Sequence, residues 1–334
     1  MLSYDMVFVP VPPVGYADLG LGGGPPRAVP SDLAVALTAK IIPAEAVQKM
    51  ILVGIFVLAC AGAAALLTAG WRRAADGGQA PLLARLVAGV CYAWNPFIAE
   101  RLIMGQWAML LGYAALPWLL RELARAPRLR AWGLAATLVP AAVGGFAAIS
   151  VTAVPALVVA ACSASSRAER GRRVLTTVLA LAVASLPWLI PSLLNPVHAG
   201  PGGAAAFSAR ADTPFSAPVS MLMLGGIWNA QAVPAGYGGP VTAFWLVVVV
   251  VAQAGYVLAA RRRRICRGLG VAGVLSFGLA ALGLTPLTLA ALRAGIAAWP
   301  GLAVPRASQP FIAPLSLVIA LGLGPSVVAL LAPP

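Results

Sequence analysis

The chain has 334 residues, of which 61% are hydrophobic and 10% are charged, leaving too little polar surface to cover a water-soluble globule. Its formal net charge is +14, but the basic residues form short clusters between apolar runs, which is typical of membrane topology and argues against nucleic-acid binding. We therefore expect an all-α polytopic protein with membrane lipid as its solvent.

Residues 1–49 are predicted to form a first extracytoplasmic loop, with Asp5 near its start. The segment Pro30-Ser31-Asp32 predicts a helix start, because Ser and Asp are common N-cap residues and apolar side chains follow at helical spacing. This pattern predicts either a short amphipathic helix on the membrane surface or only a lead-in to the first span.

Nine apolar runs are close to the length of about 20 residues that crosses a bilayer. They cover residues 50–70, 81–95, 107–120, 131–147, 148–164, 174–191, 242–260, 268–285 and 310–331. The pair at 131–164 requires Gly144 and Gly145 to turn one stretch into two short helices, and a single span is the alternative. The runs divide into a first bundle at 50–191 and C-terminal helices at 242–334.

Four arginine clusters follow the apolar runs, and such clusters in short loops are retained in the cytoplasm. They are Arg72/Arg73, Arg121/Arg125/Arg128/Arg130, Arg167/Arg170/Arg172/Arg173, and Arg261 to Arg264 with Arg267. Counting through nine helices places all four on one side. Residues 1–49, the 95–106 turn, the 192–241 loop and the 286–309 loop then lie on the other side of a plasma membrane that the protein crosses several times.

This orientation starts the chain outside the cell without an apolar segment to carry residues 1–30 across. We therefore expect an upstream spanning helix to be missing from this sequence. The ending Leu-Leu-Ala-Pro-Pro directly follows an apolar run, which suggests that the C-terminus is cut as well.

The 95–106 turn brings ionisable residues close to hydrocarbon. Asn95-Pro96 is expected to break the helix at the outer interface, which places Glu100, Arg101 and Gln106 at membrane depth. Such residues are costly and by default face a cavity or a partner. The alternative is a pair that snorkels beside interfacial tryptophans. Because neighbours on a helix do not face each other, we expect Glu100 and Arg101 to have different partners.

The other two outer loops also contain polar candidates. The 192–241 loop is too long for a simple connection and includes Asp212 and His198, which as the only histidine excludes a His-rich metal site. The 286–309 loop includes Arg293, Arg306 and Gln309. An arginine here could bind a phosphate bidentately, or only meet lipid headgroups, which we favour for Arg293.

Four segments occur in an order that resembles the large actinobacterial membrane glycosyltransferases of the GT-C fold, including the arabinofuranosyl- and mannosyltransferases of the cell envelope. The segments are Asp5-Met-Val-Phe-Val-Pro, Pro26-Arg-Ala-Val-Pro-Ser-Asp, Asn95-Pro-Phe-Ile-Ala-Glu-Arg-Leu-Ile-Met-Gly-Gln-Trp, and Arg306-Ala-Ser-Gln-Pro-Phe-Ile-Ala-Pro-Leu. The resemblance implies an enzyme that passes a sugar from a polyprenyl-phosphate donor to a glycan or glycolipid acceptor outside the membrane.

The resemblance also implies roles for individual residues. The first outer loop of that fold supplies an acidic residue, a place that Asp5 occupies as the base for the acceptor hydroxyl. Arg306 would hold the leaving phosphate, with Glu100, Arg101, Gln106 and Gln309 as further substrate-binding candidates. Since neither an Asp-x-Asp nor a Glu-x-Asp pair is present, we expect a mechanism without metal or other cofactor.

Two other functions remain open. A transporter or flippase would show repeated halves and polar groups near the bilayer midplane, whereas this sequence has no visible internal repeat and, apart from the arginine clusters, concentrates its ionisable residues at the outer face. A non-catalytic membrane subunit of envelope biogenesis would fit the apparent truncation and the few acidic residues.

Overall fold

A computed structural model describes residues 6–22, 28–72, 80–125, 129–195, 201–260 and 264–332. Within these ranges every regular element is helical. The α-helices are Ser31–Thr38 (α1), Ala44–Arg72 (α2), Leu82–Ala93 (α3), Pro96–Ile103 (α4), Trp107–Leu123 (α5), Ala131–Val143 (α6), Gly145–Cys162 (α7), Arg167–Leu194 (α8), Ala217–Leu222 (α9), Val241–Ala260 (α10), Arg264–Ala280 (α11), Pro286–Ala298 (α12) and Ala313–Leu331 (α13).

Seven helical segments of the described chain are long and apolar enough to cross a membrane. They are Ala44–Gly70, Leu82–Ile103, Gly145–Cys162, Arg167–Leu194, Val241–Ala259, Cys266–Gly283 and Gln309–Leu331. Two further predicted spans correspond to the shorter helices α5, with 17 residues, and α6, with 13. The expectation of a polytopic helical membrane protein is confirmed, while the count of nine crossings stays a prediction.

The stretch at 131–164 folds as two helices. Helix α6 ends at Val143, and α7 begins at Gly145, whose φ of +68° lies in the left-handed region that glycine adopts without strain. The helices then diverge in their packing, since α6 lies against α5 and α8 while α7 also contacts α11. The prediction of a turn between two helices at the two glycines is confirmed, while two crossings by this stretch stay a prediction.

Helices α10 and α13 make the most extensive contact in the bundle, and small residues allow it. A Cβ atom added to Gly322 of α13 would overlap the carbonyl oxygen of Ala252 in α10. Without a hydrophobic drive between helices in lipid, association depends on this kind of close backbone approach. Gly322 is therefore a packing residue of the bundle.

Replacing Gly322 by Ala is expected to lower the free energy of unfolding by about 1–3 kcal/mol, because the added methyl group forces α10 and α13 apart. Gly54→Ala in α2 is the matched control, since nothing lies within 4 Å of a Cβ at that position. Thermal unfolding of both variants in detergent measures the difference. Equal midpoints for the two variants would contradict the packing role.

The helix ends that border the four arginine clusters come together at one end of the bundle. A small apolar cavity of about 80 Å³ is lined by residues from four of these ends, among them Gly70, Leu120, Ala259 and Cys266. Helix α8 joins them, because Arg173 donates hydrogen bonds to the carbonyl oxygens of Leu123 and Arg125. This is the arrangement that the arginine pattern predicts, although Arg73, Arg128 and Arg261 to Arg263 lie outside the described residues.

The opposite end holds more helix than the sequence suggests. Helix α1 begins at Ser31 as predicted, but its N-terminus has no side-chain cap, and the Ser31 hydroxyl instead donates to the carbonyl oxygen of Ala28. The predicted 286–309 loop contains the apolar helix α12, whose N-cap Thr285 accepts a hydrogen bond from the Thr288 amide. The 192–241 loop contains α9.

Candidate functional site

Asn95 sets the start of the short helix α4. Its Oδ1 accepts a hydrogen bond of 3.2 Å from the Ile98 amide, and Pro96 occupies the first helical position. Its Nδ2 donates to the carbonyl oxygens of Cys91 and Tyr92 at the end of α3. The predicted helix break is confirmed, and it directs the following turn of helix into the protein interior.

Glu100 and Arg101 form a fully buried charged pair on α4, and both are 0% exposed. The distance from Arg101 Nη2 to Glu100 Oε2 is 3.6 Å. Gln309, in the 3₁₀ turn before α13, bridges them: its Oε1 accepts from Arg101, and its Nε2 donates to Glu100 Oε2 over 3.0 Å. Arg101 Nη1 also donates to Gln106 Oε1 over 2.7 Å.

The expectation of different partners is therefore wrong, since both side chains bond to Gln309. The alternative of a snorkelling pair is wrong as well, because both side chains are buried. The reason is that one amide group both donates and accepts, so a single glutamine can satisfy a carboxylate and a guanidinium that point to the same side. We call the set of Glu100, Arg101, Gln106 and Gln309 the buried network.

Asp212, a polar residue of the 192–241 loop to which the sequence assigns no role, lies against this network. Its Oδ2 accepts hydrogen bonds from the Gly226 and Ile227 amides at 2.5 and 3.1 Å. Its carboxylate also lies close enough to Glu100 for the two groups to interact through their charges. A Cβ at Gly225 would come within 2.7 Å of both Asp212 carboxylate oxygens, so the glycine makes room for this approach. The Gly225-Gly226 pair is the sequence signal that could have indicated it.

Two carboxylate oxygens of this cluster remain unsatisfied. Glu100 Oε1 and Asp212 Oδ1 are buried and have no hydrogen-bond partner among the described residues. Because unpaired buried charge is costly, this cluster depends on the Arg101 guanidinium, 3.6 Å from Glu100, for charge compensation.

Tyr237 borders the same cluster as a neutral phenol. Burial raises its pKa well above the ordinary value, and the nearby negative charges of Asp212 and Glu100 raise it further. Its hydroxyl donates to the carbonyl oxygen of Met223 over 3.0 Å. Tyr237 therefore supports the loop and is poorly suited to act as a base.

A cavity of about 700 Å³ lies beside the network, between the first loop and the α4–α5 turn. Its polar lining consists of Asp18, Ser31, Asp32 and Gln106. Trp107 and Phe8 form an apolar wall, with ring centroids 5.3 Å apart in an edge-to-face contact. Among the described residues no lysine or arginine lines this space, which we call the first-loop cavity. Gln106 belongs to both the cavity and the network.

The other predicted site residues stand apart from the network. Asp5 and His198 lie outside the described residues, although Val7 to Val9 line the first-loop cavity. Arg306 is half-buried, and its guanidinium lies 5.3 Å from the ring centroid of Phe207. In the described part of the chain Arg306 forms no ion pair. Arg293 is exposed on α12.

No family model, curated protein or solved structure matches this chain. The site is therefore defined by its own geometry: a buried charged network that adjoins a large cavity with carboxylate, amide and aromatic walls. The resemblance to the GT-C glycosyltransferases stays a prediction.

Proposed function

We propose that the protein is a membrane glycosyltransferase that moves a sugar from a polyprenyl-phosphate donor to a glycan or glycolipid acceptor. The reaction would take place on the extracytoplasmic face of the plasma membrane, with nine helices crossing the bilayer. The observation that carries the proposal is the first-loop cavity, which lies at the end of the bundle opposite the arginine clusters and beside buried ionisable residues.

The lining of the cavity suits the sugar part of such a donor. Binding pockets combine apolar walls with a few placed polar groups, and a volume of about 700 Å³ is within their usual range. The carboxylates of Asp18 and Asp32 can accept hydrogen bonds from hydroxyl groups, while the Trp107 side chain offers an apolar face.

In this proposal the buried network positions Gln106, which also lines the cavity. The Nη atoms of Arg101 bond to Gln106 and Gln309, so the guanidinium is committed to the protein and its effect on substrate passes through Gln106. Arg306, which no described carboxylate neutralises, is the better candidate for the phosphate. Asp5 would take the proton of the acceptor hydroxyl, and the reaction needs no metal.

The test is transfer of a labelled sugar from polyprenyl phosphate in proteoliposomes. We expect Asp32→Asn to raise KM for the donor roughly tenfold, the effect of losing a charge-assisted hydrogen bond. Glu45→Gln in the first turn of α2 is the control, because this exposed carboxylate does not line the cavity.

Two outcomes would count against the proposal. The first is that wild-type protein transfers no sugar from any polyprenyl-phosphate donor. The second is that it carries labelled lipid across the bilayer without forming a new glycosidic bond, which would favour the flippase alternative.

A further inference from the structure

A long apolar groove separates helices α6 and α8 and has a volume of about 520 Å³. Its lining includes small side chains from both helices, Ala131, Ala135 and Ala142 on α6 and Ala180 and Ala184 on α8. Helix α6 has 13 residues and is therefore only about 20 Å long, less than the roughly 30 Å of a hydrocarbon core. The groove is large enough to hold an acyl chain.

The groove ends in a polar space where both helices begin. A second cavity of about 270 Å³ is lined by Leu129, Arg172, Arg173 and Thr176. Thr176 lines the apolar groove as well, so the two spaces adjoin. An apolar groove with basic residues at its entrance, which we call the mouth, is complementary to a lipid with an acidic headgroup.

The charges at this mouth are unequal. The Arg173 guanidinium donates hydrogen bonds to the Glu169 carboxylate and to the carbonyl oxygens of Leu123 and Arg125, so its hydrogen-bonding capacity is used within the protein. Arg172 is exposed and forms no ion pair in the part of the chain that the structure describes.

The acidic residues near the mouth are already engaged. Glu169, one turn before Arg172, pairs with Arg173 at 2.8 Å. Glu122 pairs with Arg125 at 2.5 Å. Arg130, which is exposed beside Trp132, adds further positive charge at this end.

We propose that this site binds an anionic phospholipid of the surrounding bilayer, with one acyl chain between α6 and α8 and the phosphate at Arg172. The charge complementarity commits the site to an acidic headgroup, and the groove distinguishes it from an arginine that only meets the lipid surface. The site lies at the arginine-rich end of the bundle, so it does not depend on the proposed sugar transfer.

The experiment is native mass spectrometry of the purified chain with phosphatidylglycerol or phosphatidylcholine. We expect wild-type protein to retain phosphatidylglycerol about tenfold more strongly, and Arg172→Ala to remove that preference. Arg170→Ala, an exposed arginine of the same helix that does not line the mouth, should keep it. Ala180→Phe, which fills the groove, should weaken binding without changing any charge.

Three results would overturn the proposal. One is full phosphatidylglycerol binding by Arg172→Ala. Another is an equal loss in Arg170→Ala and Arg172→Ala, which would indicate diffuse attraction. The third is displacement of phosphatidylglycerol by equimolar polyprenyl phosphate, which would make the occupant a donor lipid. Because Arg170 and Arg172 are exposed, unfolding midpoints of the two arginine variants should match wild type, and they are measured alongside.

Discussion

Replacing Asp5 by Asn is expected to reduce sugar transfer by about 10²–10⁴-fold, the usual contribution of a general base. The amide of Asn is similar in size to the carboxylate but cannot accept the proton of the acceptor hydroxyl. Donor binding should change little, since the loss concerns the chemical step. Single-turnover rates with labelled polyprenyl-phosphate sugar, together with the donor Kd, separate the two effects.

Glu45→Gln provides the control for this experiment as well, because it removes an exposed carboxylate in the first turn of α2 that lies outside the cavity lining. Its transfer rate should stay within twofold of wild type. A wild-type rate in Asp5→Asn would remove Asp5 from the mechanism, and the carboxylates of the first-loop cavity would then be the next candidates for the base.

Replacing Arg101 by Met is expected to lower the free energy of unfolding by about 3–5 kcal/mol. The change leaves the Glu100 carboxylate buried beside Asp212 without its cation, and it removes hydrogen bonds to Gln106 and Gln309. Methionine keeps much of the side-chain volume, so the loss reports on charge and hydrogen bonding more than on packing.

Two variants make this measurement specific. Arg170→Ala removes an exposed arginine from α8 and should shift the unfolding midpoint in detergent only slightly. The double variant Glu100→Gln with Arg101→Met should be more stable than the sum of the single changes predicts, because it removes both charges together. An Arg101→Met midpoint equal to that of Arg170→Ala would show that the pair contributes little to stability.

Local patterns in the sequence were sufficient to predict the helical framework. The break at Asn95, the turn at Gly144 and the start of α1 are marked by local features, namely the Asn95 cap, the left-handed Gly145 and the hydrogen bond from Ser31 to Ala28. Helix α12 was also readable in principle, since a Thr-Pro pair at its N-terminus is a start signal, but its apolar run is shorter than a span.

The site was predictable only in part, because its contacts join distant segments. The sequence predicts Glu100, Arg101 and Gln106 at membrane depth and Gln309 in the 286–309 loop, and the structure brings the four side chains together. The burial of Glu100 and Arg101 and their shared partner could not be predicted in this way. Helix geometry indicates which side chains diverge along one helix, but it does not indicate which side chain a distant segment places between them. Asp212 was missed for the same reason.

The hydrogen bond from Arg101 to Gln309 spans 208 residues of sequence, which has a consequence for biogenesis. At about 5–20 residues per second, the ribosome adds that length in roughly 10–40 s. During this interval the nascent α4 has its charges in place and the glutamine that satisfies them does not yet exist. The early helices must therefore enter the bilayer before the buried network is complete. The network forms only when the last span, which begins beside Gln309, has been inserted.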